Sequence, residues 1–410
     1  MADFHQNGNI AQFHDLRQRP IEEMVYEIES YAQTRRISLV LPSLFSELEG
    51  PALGKILGEL SQVSYLHRII IGLDRADEHQ FRRAKDFFSV LPQDHVVLWN
   101  DSPRMTAWME KLDGLGLAPQ EPGKGKNMWT CMGYMISCAD TSVMALHDCD
   151  IITYQRDMLA KLVYPVVNPN FRYQLSKGFY PRIGVGKLNG RVTRLLVSPL
   201  LIALKKVIGD RDYIDYLRAF RYPLSGEFAL RTGLVPDLRI PSDWGLEIGV
   251  LSEVWRNSGR HSVCQVEIAD AYDHKHQEVS EDDAQAGLNR MSTDICKAIF
   301  RKLAADGTVF SANTFRALKA TYYRIALDLL EFYDNDARMN GLTLDRHREE
   351  RTIELFAENI MAAGHVFLAK PNEAPFIPNW SRVNAADPGL VGELRAIVAA
   401  DNAEYEARPF

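Results

Sequence analysis

Two acidic residues one position apart, Asp148 and Asp150, follow directly on the apolar run Val143 to Leu146. Carboxylates so spaced on a loop can direct oxygens at one hard cation, and Mg²⁺ or Mn²⁺ held this way usually shares its coordination with a diphosphate. The same pair would also suit a helix N-cap with an exposed neighbour, and so short a motif recurs by chance, so alone it favours neither reading. The stretch Asp273-His274-Lys275-His276-Gln277 tips the balance, because an imidazole there could join a metal shell. His276 taken singly reads better as part of a solvated loop. Pro122-Gly123-Lys124-Gly125-Lys126 sets flexible backbone and lysines before a helix, which suits an anionic ligand at a helix N-terminus. Lys177, Arg182, Lys187 and Arg191 would form a local positive pocket for a small anion, or only decorate the surface.

Several chemistries lack their motif. The Gly-Lys stretch is not a phosphate loop of the G-x-x-x-x-G-K-[ST] kind, since Asn127 stands where Ser or Thr is needed. No G-x-G-x-x-G fingerprint follows the first strand, and no G-x-S-x-G elbow presents a serine nucleophile.

The elements that must position these residues alternate. Apolar runs at Ile37 to Leu41, Arg68 to Leu73, His95 to Trp99, Val143 to Leu146 and Val263 to Ile268 read as buried strands. Helical patterns fall at Pro51 to Leu60, Ala76 to Phe88, Lys126 to Ala139, Gly190 to Leu204 and Gly245 to Trp255, with a short strand near Phe171 to Leu175. This alternation predicts an α/β fold with a mostly parallel sheet covered by helices on both faces. Ligands bind such sheets at the carboxyl ends of the strands, where Ser43, Glu47, Asp74, Asp148 and Asp150 all fall.

Residues 1–36 read as an N-terminal arm with one amphipathic piece at Ile21 to Tyr31, and 37–279 as the domain that carries every candidate site residue, halved at 150/151. Residues 280–410 read as a mainly helical extension. It starts at the capping-box-like Ser280-Glu281-Asp282-Asp283 and carries Tyr322, Ile325, Ala326, Leu329, Leu330 and Tyr333 on one stripe.

Composition narrows the function classes. Across 410 residues, 47 Lys and Arg against 54 Asp and Glu give a net charge of -7, which leaves no broad basic surface for nucleic acid. No apolar run approaches the roughly 20 residues that span a bilayer, and the first ten residues lack a signal-peptide pattern, so a cytoplasmic protein is expected. Five cysteines without a C-x-x-C pair suggest neither a disulfide framework nor a thiolate zinc site.

Taken together the motifs resemble those of retaining GT-A glycosyltransferases, and more narrowly the glucosyl-3-phosphoglycerate synthase family, from about Ile37 to Gln277. Pro42-Ser43-Leu44 with Glu47 is similar to that family's P-A-L-x-E segment, and Gly72-Leu73-Asp74 falls where the family contacts uracil and ribose. Lys124 matches a nucleotide-side lysine and Asp148-Cys149-Asp150 the D-x-D. Gly190-Arg191-Val192-Thr193 resembles the G-R-V-T acceptor segment, Pro223 to Phe228 the P-L-x-G-E-[YF] donor-sugar loop containing Gly226, and Trp244 to Gly249 the Y-G-x-E-I-G segment with Glu247. Phe45 stands where an acid is common, and the stretch from Gln265 to His274 is one residue longer, so His274 and His276 both remain candidates for the metal.

The resemblance implies transfer of glucose from UDP-glucose to the 2-hydroxyl of 3-phosphoglycerate, with Mg²⁺ or Mn²⁺ and with retention of configuration. It also implies a homodimer. Catalysis would rest on Glu247, Asp150 and Lys124, and metal binding on Asp150 and His274. The donor would touch Pro42, Ser43, Leu44, Glu47, Asp74, Lys124, Asp148, Gly226 and Glu247, and the acceptor Lys177, Gly190, Arg191, Thr193 and His276. Alternatives keep the fold with GDP-mannose or GDP-glucose as donor, or glycerate or another small acid as acceptor. A sugar-nucleotide nucleotidyltransferase would need a G-x-G-x-R loop that Leu41 to Phe45 does not supply, and a non-catalytic sensor would not need every metal and donor position filled.

Overall fold

Strands that are apolar on both faces must lie between two layers of helices. The computed structural model describes residues 6–274, 287–371 and 376–406. The chain begins with β1 (Ala11–Phe13), α1 (Ile21–Ala32), β2 (Ile37–Leu44), α2 (Pro51–Leu60), β3 (Leu66–Asp74), α3 (Glu78–Phe88), β4 (His95–Trp99) and α4 (Pro103–Gly114). Next come α5 (Lys124–Cys138), β5 (Val143–Leu146), α6 (Arg156–Val167), β6 (Leu175–Phe179), the hairpin β7 (Ile183–Gly184) and β8 (Lys187–Leu188), α7 (Ser198–Ile208) and α8 (Asp212–Ala219). It continues through β9 (Phe228–Arg231), α9 (Leu246–Asn257), β10 (Val263–Glu267), α10 (Gly287–Ala305), α11 (Ala312–Met339), α12 (Arg346–Ala369), α13 (Trp380–Ala386) and α14 (Gly389–Glu406).

Eight strands make one sheet in the order β1-β10-β6-β9-β5-β2-β3-β4. Every pairing is parallel except those of β9, which runs antiparallel to both β5 and β6. The expected mostly parallel α/β sheet is therefore present. Along β2, Ile37, Leu39 and Leu41 join one buried cluster with α1, α2, α3 and α6, while Val40 joins the other. That alternation is the two-residue period of a strand with both faces covered.

The structure corrects several expectations. Within 1–36, Ala11–Phe13 is not an arm but an edge strand in register with Cys264 to Val266 of β10. The strand expected at Phe171 to Leu175 lies at Leu175–Phe179, where Ser176, Lys177 and Gly178 are all buried. The helix expected from Gly190 starts as a π-helical stretch, Val192–Val197, before α7. The expected start at Ser280 to Asp283 and the 279/280 boundary lie outside the described residues. The helices after Gly287 share one core with α4, α5, α7, α8 and α9. No helix among the described residues is long and apolar enough to cross a membrane.

The last helices dock through tryptophan. Trp129 of α5 stacks on Trp380 of α13 at 4.2 Å, and Trp108 of α4 lies 6.4 Å from Trp380. The indole of Trp380 donates to the Trp129 carbonyl at 3.1 Å, and that of Trp129 to the Pro378 carbonyl at 2.8 Å. Trp380 fits because position 133 is glycine: a Cβ there would sit 1.9 Å from its ring. Gly133→Ala is expected to lower stability by about 1–3 kcal/mol, the usual cost of overpacking, read as a lower urea midpoint at unchanged slope.

Candidate active site

In a parallel sheet the carboxyl ends of the strands and the amino ends of the following helices meet on one rim. Ser43 and Leu44 end β2, and Asp74, in register with Leu44, ends β3. Asp148 and Asp150 follow β5, and Lys124 opens α5. Because β9 runs the other way, its entry loop Pro223 to Glu227 reaches this rim too, and Glu247 lies in the first turn of α9.

Lys124 is the centre of the arrangement. Its Nζ lies 2.6 Å from Asp148 Oδ1 and 3.2 Å from Glu247 Oε1, so one cation joins the β5 loop to α9. Lys124 and Asp148 keep 33% and 29% of their side-chain surface exposed, so the pair is reached from solvent. Burial works against both charges, but the neighbouring carboxylates raise Lys124 above the ordinary lysine range, and Lys124 above all holds Asp148 below the ordinary carboxylate range. Gly226 backs this pair closely, since a Cβ on it would come within 2.3 Å of Asp148 Oδ2.

Asp150 sits in the opposite situation. Burial first, then the charges of Asp148, Glu47 and Glu227, push its carboxyl up to about 7. Its Oδ2 lies 3.3 Å from His274 Nδ1, and its Oδ1 is buried without a hydrogen-bond partner. The main chain holds this pair together through the antiparallel bridge of Ile151 with His274 and the Ile152 N–H donated to the Asp273 carbonyl at 2.9 Å. An orphaned carboxylate oxygen, an imidazole and an excess of negative charge fit a divalent cation. Among the described residues no group of three or more His, Cys, Asp or Glu forms a closed metal site, so such an ion would take further oxygens from its substrate or from water.

The remaining expected residues divide. Asp74 accepts from Asn100 Nδ2 at 2.8 Å and is pushed up to about 6 by burial. Asn127 Nδ2 donates to the Gly72 carbonyl at 2.8 Å beneath it. Gly190, at φ +75°, turns the chain into the π-helical stretch that carries buried Thr193, and Arg191 is half-buried. Of the four basic residues grouped by sequence, Arg182 lies over the rings of Tyr222 and Tyr272, and Lys187 is exposed on the hairpin. His276 lies outside the described residues.

Sequence reasoning missed the support behind the loop Pro223 to Phe228. Tyr272 donates to Glu227 Oε1 at 2.8 Å, Tyr180 donates to Glu227 Oε2, and the two rings stack at 3.8 Å. Glu227 sits inside the recognised P-L-x-G-E segment, but no spacing links Tyr180 to Tyr272.

Lys177 is 1% exposed and donates to the Ser225 carbonyl. Burial pulls it down to about 8, against the opposing pull of Glu247 and Glu227. Between that value and its ordinary one the unfolded chain holds a proton that the folded chain has lost, so this group's contribution to stability rises with pH through that window. The penalty on the order of 3 kcal/mol is fully present only below pH about 8. Lys177→Met is expected to flatten this rise, measured as the difference in urea stability between pH 7 and pH 10 for the two proteins.

No protein-family model matches the chain. The chain is similar to the glucosyl-3-phosphoglycerate synthase of Persephonella marina, with 43% identity over 404 residues, covering 98% of this chain and 100% of that protein. It is similar also to that of Methanococcoides burtonii, with 36% identity over 390 residues, covering 94% and 95%. Its fold is shared with the Mycobacterium tuberculosis glucosyl-3-phosphoglycerate synthase solved with Mn²⁺, UDP-glucose and phosphoglyceric acid, at TM-score 0.53 and 24% identity over 72% of this chain and 88% of that one. Similarity of that extent along nearly the whole sequence, on a sheet of GT-A type, means that the chain belongs to the glucosyl-3-phosphoglycerate synthase family.

Proposed function

We propose that the protein transfers glucose from UDP-glucose to the 2-hydroxyl of 3-phosphoglycerate, releasing UDP and glucosyl-3-phosphoglycerate. The observation that carries this reading is the joining of Asp148 and Glu247 by Lys124, beside the Asp150 and His274 pair, at one sheet rim. Diphosphate departure concentrates negative charge, and fixed cations aimed at it stabilise the transition state. Asp150 and His274 would hold a divalent cation, Mg²⁺ or Mn²⁺, which would supply Lewis-acid charge to the diphosphate.

The chain's own residues do the rest. Lys124 places positive charge beside the diphosphate and fixes Glu247 so that its carboxylate meets the glucose hydroxyls. Asp148 orients the ribose, while Pro42, Ser43, Leu44, Glu47 and Asp74 hold the nucleotide. Arg191 and Thr193 clamp the acceptor's anionic groups, turning a two-substrate encounter into a positioned one. The bond from the anomeric carbon to the diphosphate oxygen breaks, a bond to the acceptor oxygen forms on the same face, and the hydroxyl proton passes to the departing phosphate. Configuration is retained without a covalent enzyme intermediate. The same reading takes the protein to be a homodimer, for which Phe332 and Met339, exposed on α11, offer apolar surface. It places the protein in the cytoplasm, in keeping with five unpaired cysteines.

Purified protein with Mg²⁺, UDP-glucose and 3-phosphoglycerate is expected to release UDP well above the acceptor-free rate; a matrix of donors and acceptors in which another pair turns over faster would replace this assignment. Asp150→Ala should reduce turnover by a factor on the order of a thousand, the loss of several kcal/mol of charge stabilisation, while the circular dichroism spectrum stays native.

A further inference from the structure

Two C-terminal helices, α11 and α12, and the loop between them close on the acceptor segment. Arg194, 7% exposed and one turn from Gly190, makes a two-pronged ion pair with Glu349 of α12, at 2.9 Å from Nη1 and 2.6 Å from Nη2. The same guanidinium donates to the Asn189 carbonyl at 2.8 Å and lies 5.0 Å from the Tyr333 ring of α11. Thr343, just before α12, accepts from Leu188 N at 3.3 Å and donates its own N–H to the Gly186 carbonyl at 2.9 Å. Tyr322 of α11 donates to the Leu195 carbonyl at 2.6 Å. The run 186–195, which includes Gly190, Arg191 and Thr193, is thus fastened mainly by residues more than 120 positions later.

Positive charge there is left over. Arg191 has a buried Nη1 without a hydrogen-bond partner, and Arg348, next to Glu349 in sequence, is exposed. After burial itself, the charges bearing on Arg191 are Arg348, Glu349 and Arg194. Three guanidiniums including its own against one carboxylate leave two positive charges uncompensated, a balance that suits a dianion better than a monoanion. Nothing in the glucose or nucleotide reading uses Arg348, which belongs to the helical extension.

We propose that α12 completes the acceptor site: Arg348 supplies, with Arg191, a second guanidinium to the acceptor's phosphate, and the Arg194–Glu349 pair is the positioning contact that holds the Arg191 segment in place. This rests on the reading of 190–193 as the acceptor segment. It makes the extension part of the specificity machinery, selecting a phosphorylated acid over an unphosphorylated one.

Steady-state kinetics of Arg348→Gln with each substrate varied in turn tests it. The expected result is a KM for 3-phosphoglycerate about tenfold or more higher, the loss of one charge-assisted hydrogen bond, with the KM for UDP-glucose unchanged and Arg348→Lys restoring most of the difference. An unchanged KM for 3-phosphoglycerate, or equal rises for both substrates, overturns the assignment of Arg348. For the positioning pair, Arg194→Met with Glu349→Met keeps packing and charge balance, and the exposed Arg348 variants remain a test should that double variant not fold. A folded double variant should show a raised KM for 3-phosphoglycerate at little-changed kcat, whereas wild-type kinetics would reduce the pair to a structural fastening. If the unaltered protein releases no UDP with 3-phosphoglycerate, the acceptor reading itself has failed; if it does and Arg348→Gln matches it, only the present proposal has.

Discussion

An excess of carboxylates gathered at one edge of a sheet must be balanced before the chain can fold around it, and Lys124 is the protein's own counter-charge. By touching both Asp148 and Glu247 it ties the loop after β5 to the start of α9, two segments about a hundred residues apart. What stands behind Lys124 therefore matters as much as the lysine itself. The α5 helix it opens is pinned by the Trp129 and Trp380 stack, and Asp148 is backed by Gly226 with no room for a side chain. The balance is incomplete at Asp150, where burial and three carboxylates keep a proton near neutrality. Negative charge concentrated in this way suits a cation.

The surroundings of Arg191 obey the reverse logic. Arg191, Arg194 and Arg348 outnumber Glu349, and the surplus is positive. An acidic protein with a net charge of -7 thus holds both a carboxylate-rich cluster and a guanidinium-rich one. Each is suited to a ligand of the opposite sign. Specificity in this arrangement comes from fixed partners that a ligand must match, since an unmatched buried charge is costly.

Legibility followed burial. The strands β2, β3, β4, β5 and β10 stood out as short apolar runs because helices cover both of their faces. β6 did not, since Ser176, Lys177 and Gly178 are buried through contacts rather than through apolarity, and four-residue β9 follows directly on the glycine turn that masks it. The helices α4, α6 and α8 passed unnoticed, α6 because Pro165 interrupts its pattern. At the site, Lys124, Asp148, Asp150 and Glu247 were readable because motifs fix them within a few residues of a strand or helix end. Tyr180, Tyr272 and Arg348 were not, for their neighbours are set only by the crossing of elements far apart in sequence.

The position of β10 has a temporal side. It lies between β1 and β6, so Ala11 finds its partner Cys264 only after 253 further residues (264 minus 11) have been made. At roughly 5–20 residues per second, a ribosome takes on the order of tens of seconds to reach that point. From the time β6 is made until β10 follows, the β6 edge that β10 covers stands open, and Asp150 lacks His274. Pairings of such range are also the slow ones to form once the chain is free. The carboxylate cluster is therefore incomplete until His274 has been made, and an exposed sheet edge during synthesis is the condition under which such a chain would rely on a chaperone.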